Sequence, residues 1–276
     1  MKRIAILFLG LLVALSVLLI GCSEDSEEIG TPPSLPPMAS LSADLGNFPQ
    51  YETHRGDKVE NKDNFIFAAT NVGFWQNTLT YGFLIPAAAF PAADDHDFAY
   101  SSSLKKWQST YSVSVNQEVF SATLMAKRND ETILWELYLS SEGEFEDFLW
   151  VTGESLIDNS EGEWIIYGSP AQPRQVLQVQ WDRDQESYIN SKYTIIDEES
   201  TKNGSSVEFG LSLDSDYTYY YNVMVIDSEG ENYKASILYN QNSTEGSVKS
   251  ETVYGDSDFR CWDAAHDNVE CVKQVS

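Results

Sequence analysis

From Leu104 onward, apolar and polar positions alternate with period two in run after run. Tyr111, Val113 and Val115 form one such run, Phe120, Ala122, Leu124 and Ala126 a second, and Ile133, Trp135, Leu137 and Leu139 a third. The same signal predicts strands at 148–151, 164–167, 176–181, 188–196, 207–213, 217–226, 233–239 and 248–254. Turn-forming pieces such as Arg128-Asn129-Asp130-Glu131 and Lys202-Asn203-Gly204-Ser205 separate them. Connections this short cannot join parallel strands, whose crossovers need a dozen residues or more. The expectation is an all-β fold: an antiparallel meander of roughly ten or more strands, forming a soluble barrel or a two-sheet sandwich. A membrane-spanning barrel is set aside because the runs read as shorter than the 9 to 11 residues or so that such strands need.

Residues 64–93 break this rhythm and are the most apolar part of the chain after its first 21 residues. Phe65–Ala69 and Leu79–Ile85 read as buried strands, with Asn71, Gly73, Gln76 and Asn77 supplying a turn between them. Pro86 to Ala93 suits a short helix that starts at Pro86 and stops at Pro91. It would cover one end of the core, or serve as a plug, lid or docking surface. No long amphipathic helix is predicted. Residues 22–62 hold Pro32, Pro33, Pro36 and Pro37 among Ser, Thr and Ala without an apolar period, and read as a tether. The expected organisation is a leader over 1–21, a tether over 22–62 and one β domain over 63–276.

At the start of the chain, Lys2 and Arg3 precede an apolar run from Ile4 to Ile20, then Gly21 and Cys22. This is the layout of an export signal. The run approaches the roughly 20 residues that span a bilayer, so an uncleaved anchor is the alternative. Leu19-Ile20-Gly21-Cys22 resembles the lipobox of bacterial lipoproteins. The resemblance implies that Cys22 is diacylated and becomes the mature N-terminus once the leader is cut before it. Two or three acyl chains hold a protein stably where one does not. Ser23, directly after the cysteine, resembles lipoproteins sent to the outer membrane. The acidic run Ser23 to Glu28 is similar to the surface-export signal of Bacteroidota lipoproteins, although a solvated acidic linker is the plainer reading. The expected place is the outer membrane, lipid-anchored at the cell surface, with the periplasmic side as alternative.

Charge narrows the partners. The chain has 17 basic and 43 acidic side chains; loss of Lys2 and Arg3 with the leader leaves 15 basic ones and moves the formal charge from −26 to −28. Phosphate backbones and anionic headgroups are repelled by such a balance, which excludes nucleic acid and attachment through a basic patch. The acidity suits a soluble tethered domain or a saline, calcium-rich setting. Of the three cysteines, Cys22 is taken by lipid, and the pair Cys261 and Cys271 is expected to form a disulfide in an oxidising compartment. Closing that short loop contributes about 3 kcal/mol.

Catalytic signatures are missing: the chain has no Gly-x-Ser-x-Gly elbow, no His-Glu-x-x-His and no glycine-rich phosphate loop. No catalytic residue is assigned and the chain is read as a non-enzyme, with a glycan hydrolase using a carboxylate pair in a barrel mouth as the alternative. His96, in Asp94-Asp95-His96-Asp97, reads as part of a solvated loop before it reads as a base or metal ligand. His266 lies between Cys261 and Cys271 and could join them on zinc, but the disulfide is expected instead. No metal site or cofactor is assigned. Calcium is a weaker candidate at Asp182-Arg183-Asp184-Gln185-Glu186 and Asp227-Ser228-Glu229-Gly230-Glu231, neither of which completes a calcium loop. The chemical excess is aromatic, with 15 Tyr, 13 Phe and 7 Trp. Tyr217, Tyr219 and Tyr221 share one strand face; exposed, they would stack sugars or meet a partner, and turned inward they are core. Trp135, Trp150, Trp164 and Trp181 read as core. The expected role is a β domain that binds a ligand or partner, a glycan or an envelope protein, with a purely structural envelope component as a further alternative.

Overall fold

The computed structural model describes residues 30–41, 45–51, 61–184 and 188–271. The leader, Cys22, the run 23–28, His54, Gln185 and Glu186 lie outside these residues. Fourteen strands follow one another: β1 (Ala99–Ser101), β2 (Lys106–Val115), β3 (Glu118–Asn129), β4 (Thr132–Ser141) and β5 (Phe145–Leu156). Next come β6 (Glu161–Tyr167), β7 (Gln175–Asp184), β8 (Tyr188–Ile195), β9 (Ser206–Leu211) and β10 (Tyr219–Val225). The last are β11 (Tyr233–Tyr239), β12 (Gly246–Lys249), β13 (Arg260–Trp262) and β14 (Asn268–Val269). Each is hydrogen-bonded to its sequence neighbours, so spatial order equals chain order in one fourteen-stranded antiparallel sheet. The all-β meander is therefore what the chain forms. The strands are hydrogen-bonded in one continuous order, and β1 does not pair with β14, so the sheet is not closed into a barrel.

Alternation decides which side of each strand faces in. Ile133, Trp135, Leu137 and Leu139 of β4, Trp164 and Ile166 of β6, Leu177, Val179 and Trp181 of β7, and Tyr193 of β8 are buried in one continuous core. The opposite positions are mixed, with Glu154, Glu163, Gln180 and Lys192 beside Leu134 and Ile165. β2 to β5 run 10 to 12 residues, longer than the runs read from the sequence, so shortness of strands does not set a spanning barrel aside there.

The interior is filled by helices where strands were expected. Residues Asp63–Gly82 form α1 and Leu84–Ala92 form α2. Phe65, Ala68, Ala69, Val72 and Trp75 recur at helical spacing and are buried, whereas Thr70, Phe74, Asn77 and Thr80 face outward. Polar Asn64, Asn71 and Gln76 are also buried and Phe74 is exposed, so the helical period leaves little polarity contrast to read. Asp63 lies in the first turn, where a carboxylate suits the helix dipole. Pro86 is tolerated early in α2, where its missing N–H costs no hydrogen bond, and the chain stays helical through Pro91. Buried Gln76 donates to the Phe48 carbonyl at 3.0 Å, and Tyr233 Oη donates to Asn71 Oδ1 at 3.0 Å. α1 lies along β12 to β14 and α2 along β2, and the two helices touch; together they bridge the seam between the first and last parts of the sheet. Pro86, Ala89, Phe90 and Ala93 are buried, so this stretch is a plug and not an exposed docking face. No helix among the described residues is long and apolar enough to cross a membrane.

Part of the stretch 22–62, read from the sequence as a tether, is packed against the sheet. Ser40, Leu41, Leu45 and Phe48 are buried, and the compact unit begins at Pro32. Ser40 Oγ accepts from Trp164 Nε1 at 3.2 Å, and the Phe48 ring meets Tyr239 and Tyr221 at 4.7 and 5.5 Å. Single apolar residues spaced along an irregular segment have no period, which is why this piece reads as linker. At the far end, Glu251–Tyr254 is a short helix, α3, where the sequence suggested a continuing strand.

The last hairpin clasps the start of α1. Asn268 Oδ1 accepts from the Asn64 N–H at 3.1 Å, capping a helix whose own N-cap residue, Lys62, makes no side-chain cap. Asn64 Nδ2 donates to the Cys261 carbonyl at 3.1 Å, Lys62 Nζ to that of Ala265 at 2.8 Å, and the Asn268 N–H to that of Asn61 at 2.6 Å. Cys261 and Cys271 are joined in a disulfide. The His266 ring stacks on Phe65 at 3.7 Å.

Candidate functional site

Register turns the outward side of the central strands into rows. Leu134, Glu154, Glu163, Gln180, Lys192, Glu208 and Asn222 stand opposite one another in turn, from β4 across to β10. Glu161, Asp182 and Asn190 form a shorter parallel row beside it. Between them the sheet bends into an open trough with a cavity volume of about 970 Å³. Thr152, Leu134 and Ile165 give it a mixed floor, and its walls are carboxylates, amides and one ammonium group, Lys192, among the described lining residues.

The trough breaks a rule of sheet stability. Glu154 and Glu163 are direct cross-strand neighbours on the same face, and like charges placed so are destabilising. Such a local conflict is expected where a surface serves something other than the fold. Glu163 is partly held, accepting from Gln178 Nε2 at 2.8 Å and from Gln180 Nε2 at 3.3 Å. Asn190 Nδ2 donates to Asp182 Oδ1 at 3.1 Å. Tyr220 Oη donates to Glu208 Oε1 at 3.2 Å. Partial burial, then the Glu208 and Asp182 carboxylates, push the Tyr220 phenol well above its usual range. Glu136, just beyond the trough, is already engaged by Lys106 at 2.6 Å.

The inward side of the same strands is built differently. The Trp164 ring lies over Gly153 and the Trp181 ring over Gly162, each on its register partner. Trp262 covers Gly246 in the same way. A Cβ on Gly162 would stand 2.7 Å from Trp181 Cζ2, so only glycine admits the ring. Trp135, Trp150, Trp164 and Trp181 are all buried, as their recurrence in the meander suggested. Trp135 Nε1 donates to Ser155 Oγ at 3.0 Å.

The tyrosine ladder falls on this inward side. Tyr219 and Tyr221 are buried, Tyr221 packing edge-on against Phe48 and tilted against Phe209, and Tyr217 is half-buried in the turn before β10. Parity puts Tyr220, between them, on the outward face. Thus the strand does present a phenol to solvent, one position from those singled out in the sequence.

Elsewhere the candidate ligands are dispersed. His96 Nδ1 lies 2.9 Å from the Ala92 carbonyl, and its ring stacks on Tyr111. His266 sits against Phe65 inside the clasp, and the disulfide takes both sulfurs that zinc would need. Desolvation, then Lys62, holds the His266 imidazole below its usual pKa. Asp227 is engaged by Lys202 and by the Glu229 N–H. No group of three or more His, Cys, Asp or Glu gathers for a metal ion among the described residues. Comparison of the chain with family models, with curated proteins and with solved structures finds no match.

Proposed function

We propose that the chain is a lipid-anchored outer-membrane or cell-surface protein whose β-sheet binds an envelope ligand or partner in the outward trough. The trough carries the reading. It is a concave surface of about 970 Å³ where charge is placed against the interest of the sheet and amides hold the carboxylates in position. Solvated strand faces need neither feature. Support for the address comes from Leu19-Ile20-Gly21-Cys22 and the acidic run behind it. With Pro32 already part of the compact unit, about ten residues separate the acylated Cys22 from it, a reach of roughly 30 Å when extended. The domain then works close to the bilayer.

Two measurements test this. Metabolic labelling with an alkynyl fatty acid should mark the wild-type chain and not Cys22→Ser, and external protease should cleave the anchored protein on intact cells; an unlabelled wild type ends the lipoprotein reading. For the trough, a photo-crosslinking residue at Gln180 should give adducts in the envelope that the same probe at Thr123 does not. Equal patterns from both positions would remove the trough from the function. The facing Glu154 and Glu163 also keep hydrolysis in view, moved from a barrel mouth to the trough. Turnover of a bound glycan that disappears in both Glu154→Gln and Glu163→Gln would make the protein a hydrolase.

A further inference from the structure

Resting on the trough as the binding site, we propose that its ligand is a glycan of neutral or amino-bearing pyranose units, and that Tyr220 is the platform on which one ring stacks. The argument begins at Gly210. Tyr220 and Gly210 are register partners on the outward side of β10 and β9. A Cβ on Gly210 would stand 2.2 Å from Asn190 Oδ1, 2.7 Å from Tyr220 Cε1 and 2.9 Å from its hydroxyl oxygen, so the Asn190 amide and the edge of the Tyr220 ring both pass close to the glycine. From there the ring reaches Glu208, two residues along β9, where its hydroxyl is held. The phenol ring therefore lies down along the sheet and does not stand away from it. Held at its edge by Gly210 and at its hydroxyl by Glu208, the ring lines the trough.

A ring fixed in this way is suited to the C–H face of a pyranose, because stacking needs a flat apolar surface that loses no freedom on binding. Sugar hydroxyls then need partners at the edge of the platform. Asp182 and Asn190 stand beside it, already oriented by their mutual hydrogen bond, with Lys192 and Glu208 in the neighbouring row. Ionised carboxylates only accept, so the ligand must be rich in O–H or N–H donors. Glu154, Glu161, Glu163, Asp182 and Glu208 face one cation, Lys192, among the described lining residues. Uronates, sialylated chains and phosphorylated sugars are disfavoured by that field, whereas glucosamine units are drawn to it.

Isothermal titration of the full-length protein in detergent with cellohexaose, maltohexaose, a glucosamine hexamer and oligogalacturonate tests the assignment. At least one of the first three is expected to bind and the uronate not to. Tyr220→Phe, which keeps the ring, should hold affinity within about threefold, whereas Tyr220→Ala should lose about tenfold or more. Gly210→Ala, which crowds the Asn190 amide and the ring together, should also weaken binding. Thermal melts of each variant separate lost binding from lost folding, and Tyr220→Phe remains informative if the others unfold. Equal affinity in wild type and Tyr220→Ala overturns the platform. Preference for oligogalacturonate, or binding of none of the four sugars, overturns the ligand class. A peptide or protein adduct that is formed at Gln180 and insensitive to Tyr220→Ala would overturn the glycan while leaving the trough as a binding site.

Discussion

The two sides of β5 to β9 are made from the same strands and obey opposite rules. Inward, the Trp164 and Trp181 rings are laid onto Gly153 and Gly162, their neighbours across the ladder. Outward, the same ladder sets Glu154 against Glu163 and leaves a trough in place of a packed layer. One side spends its sequence on a single packing; the other keeps groups that the packing does not need. Stability and recognition are thus separated by one residue of offset, and a slip of register by one would exchange them.

That contrast sets the order of expected effects. Trp164→Ala removes a fully buried ring together with its hydrogen bond to Ser40 and should cost about 4 kcal/mol in urea denaturation. Gly153→Ala, which forces a Cβ into the Trp164 ring, should cost about 3 kcal/mol by the same measurement. If both changes proved as mild as outward ones, the distinction between faces would fail. Reduction of Cys261–Cys271, or the double replacement by Ser, should lower stability by about 3 kcal/mol. It should also speed amide exchange in the first turn of α1, whose cap Asn268 lies inside the loop; unchanged exchange there would show that the clasp does not hold the helix.

Protonation probes the same clasp more gently. His266 is held below its usual pKa, so the folded state prefers the neutral ring, and stability should fall as pH drops through the usual histidine range toward the lowered value. His266→Gln should flatten that slope in melts taken across the range. The smallest effect belongs to the trough: Glu154→Gln relieves the facing charges and should stabilise the domain by about 0.5 kcal/mol at low salt. The gain should shrink as salt screens the pair. A loss of stability would show that the opposed carboxylates serve the fold after all.

The meander could be read from the sequence because each strand buries one side, which writes its period directly into residues such as Ile133, Trp135, Leu137 and Leu139. α1 could not. Its buried side includes Asn64, Asn71 and Gln76 and its outward side Phe74, so its two faces differ in burial more than in polarity, and Phe, Ile and Thr favour strands when taken alone. Leu41, Leu45 and Phe48 were hidden for a related reason, each being an isolated anchor in an irregular path. The trough was invisible because Glu154, Glu163, Gln180 and Lys192 are ordinary outward residues until register lines them up, and register depends on every turn between them. Tyr220 is hidden by parity: the pattern runs through 217, 219 and 221, and the outward, half-buried ring belongs to the other set.

The strand order has a consequence for how this chain matures. Thirteen pairings join sequence neighbours and can form one after another as the chain emerges. The first helix is different: α1 stands ahead of every strand, yet it is capped and clasped by Asn268, Cys261 and Ala265 near the other end of the sequence. A growing sheet must therefore wait with its apolar side and its helix unlocked until the final hairpin arrives. Folding of this protein should end as a latch closes, in one late step that carries most of the protection of the core, with oxidation of the cysteine pair as the event that makes it lasting.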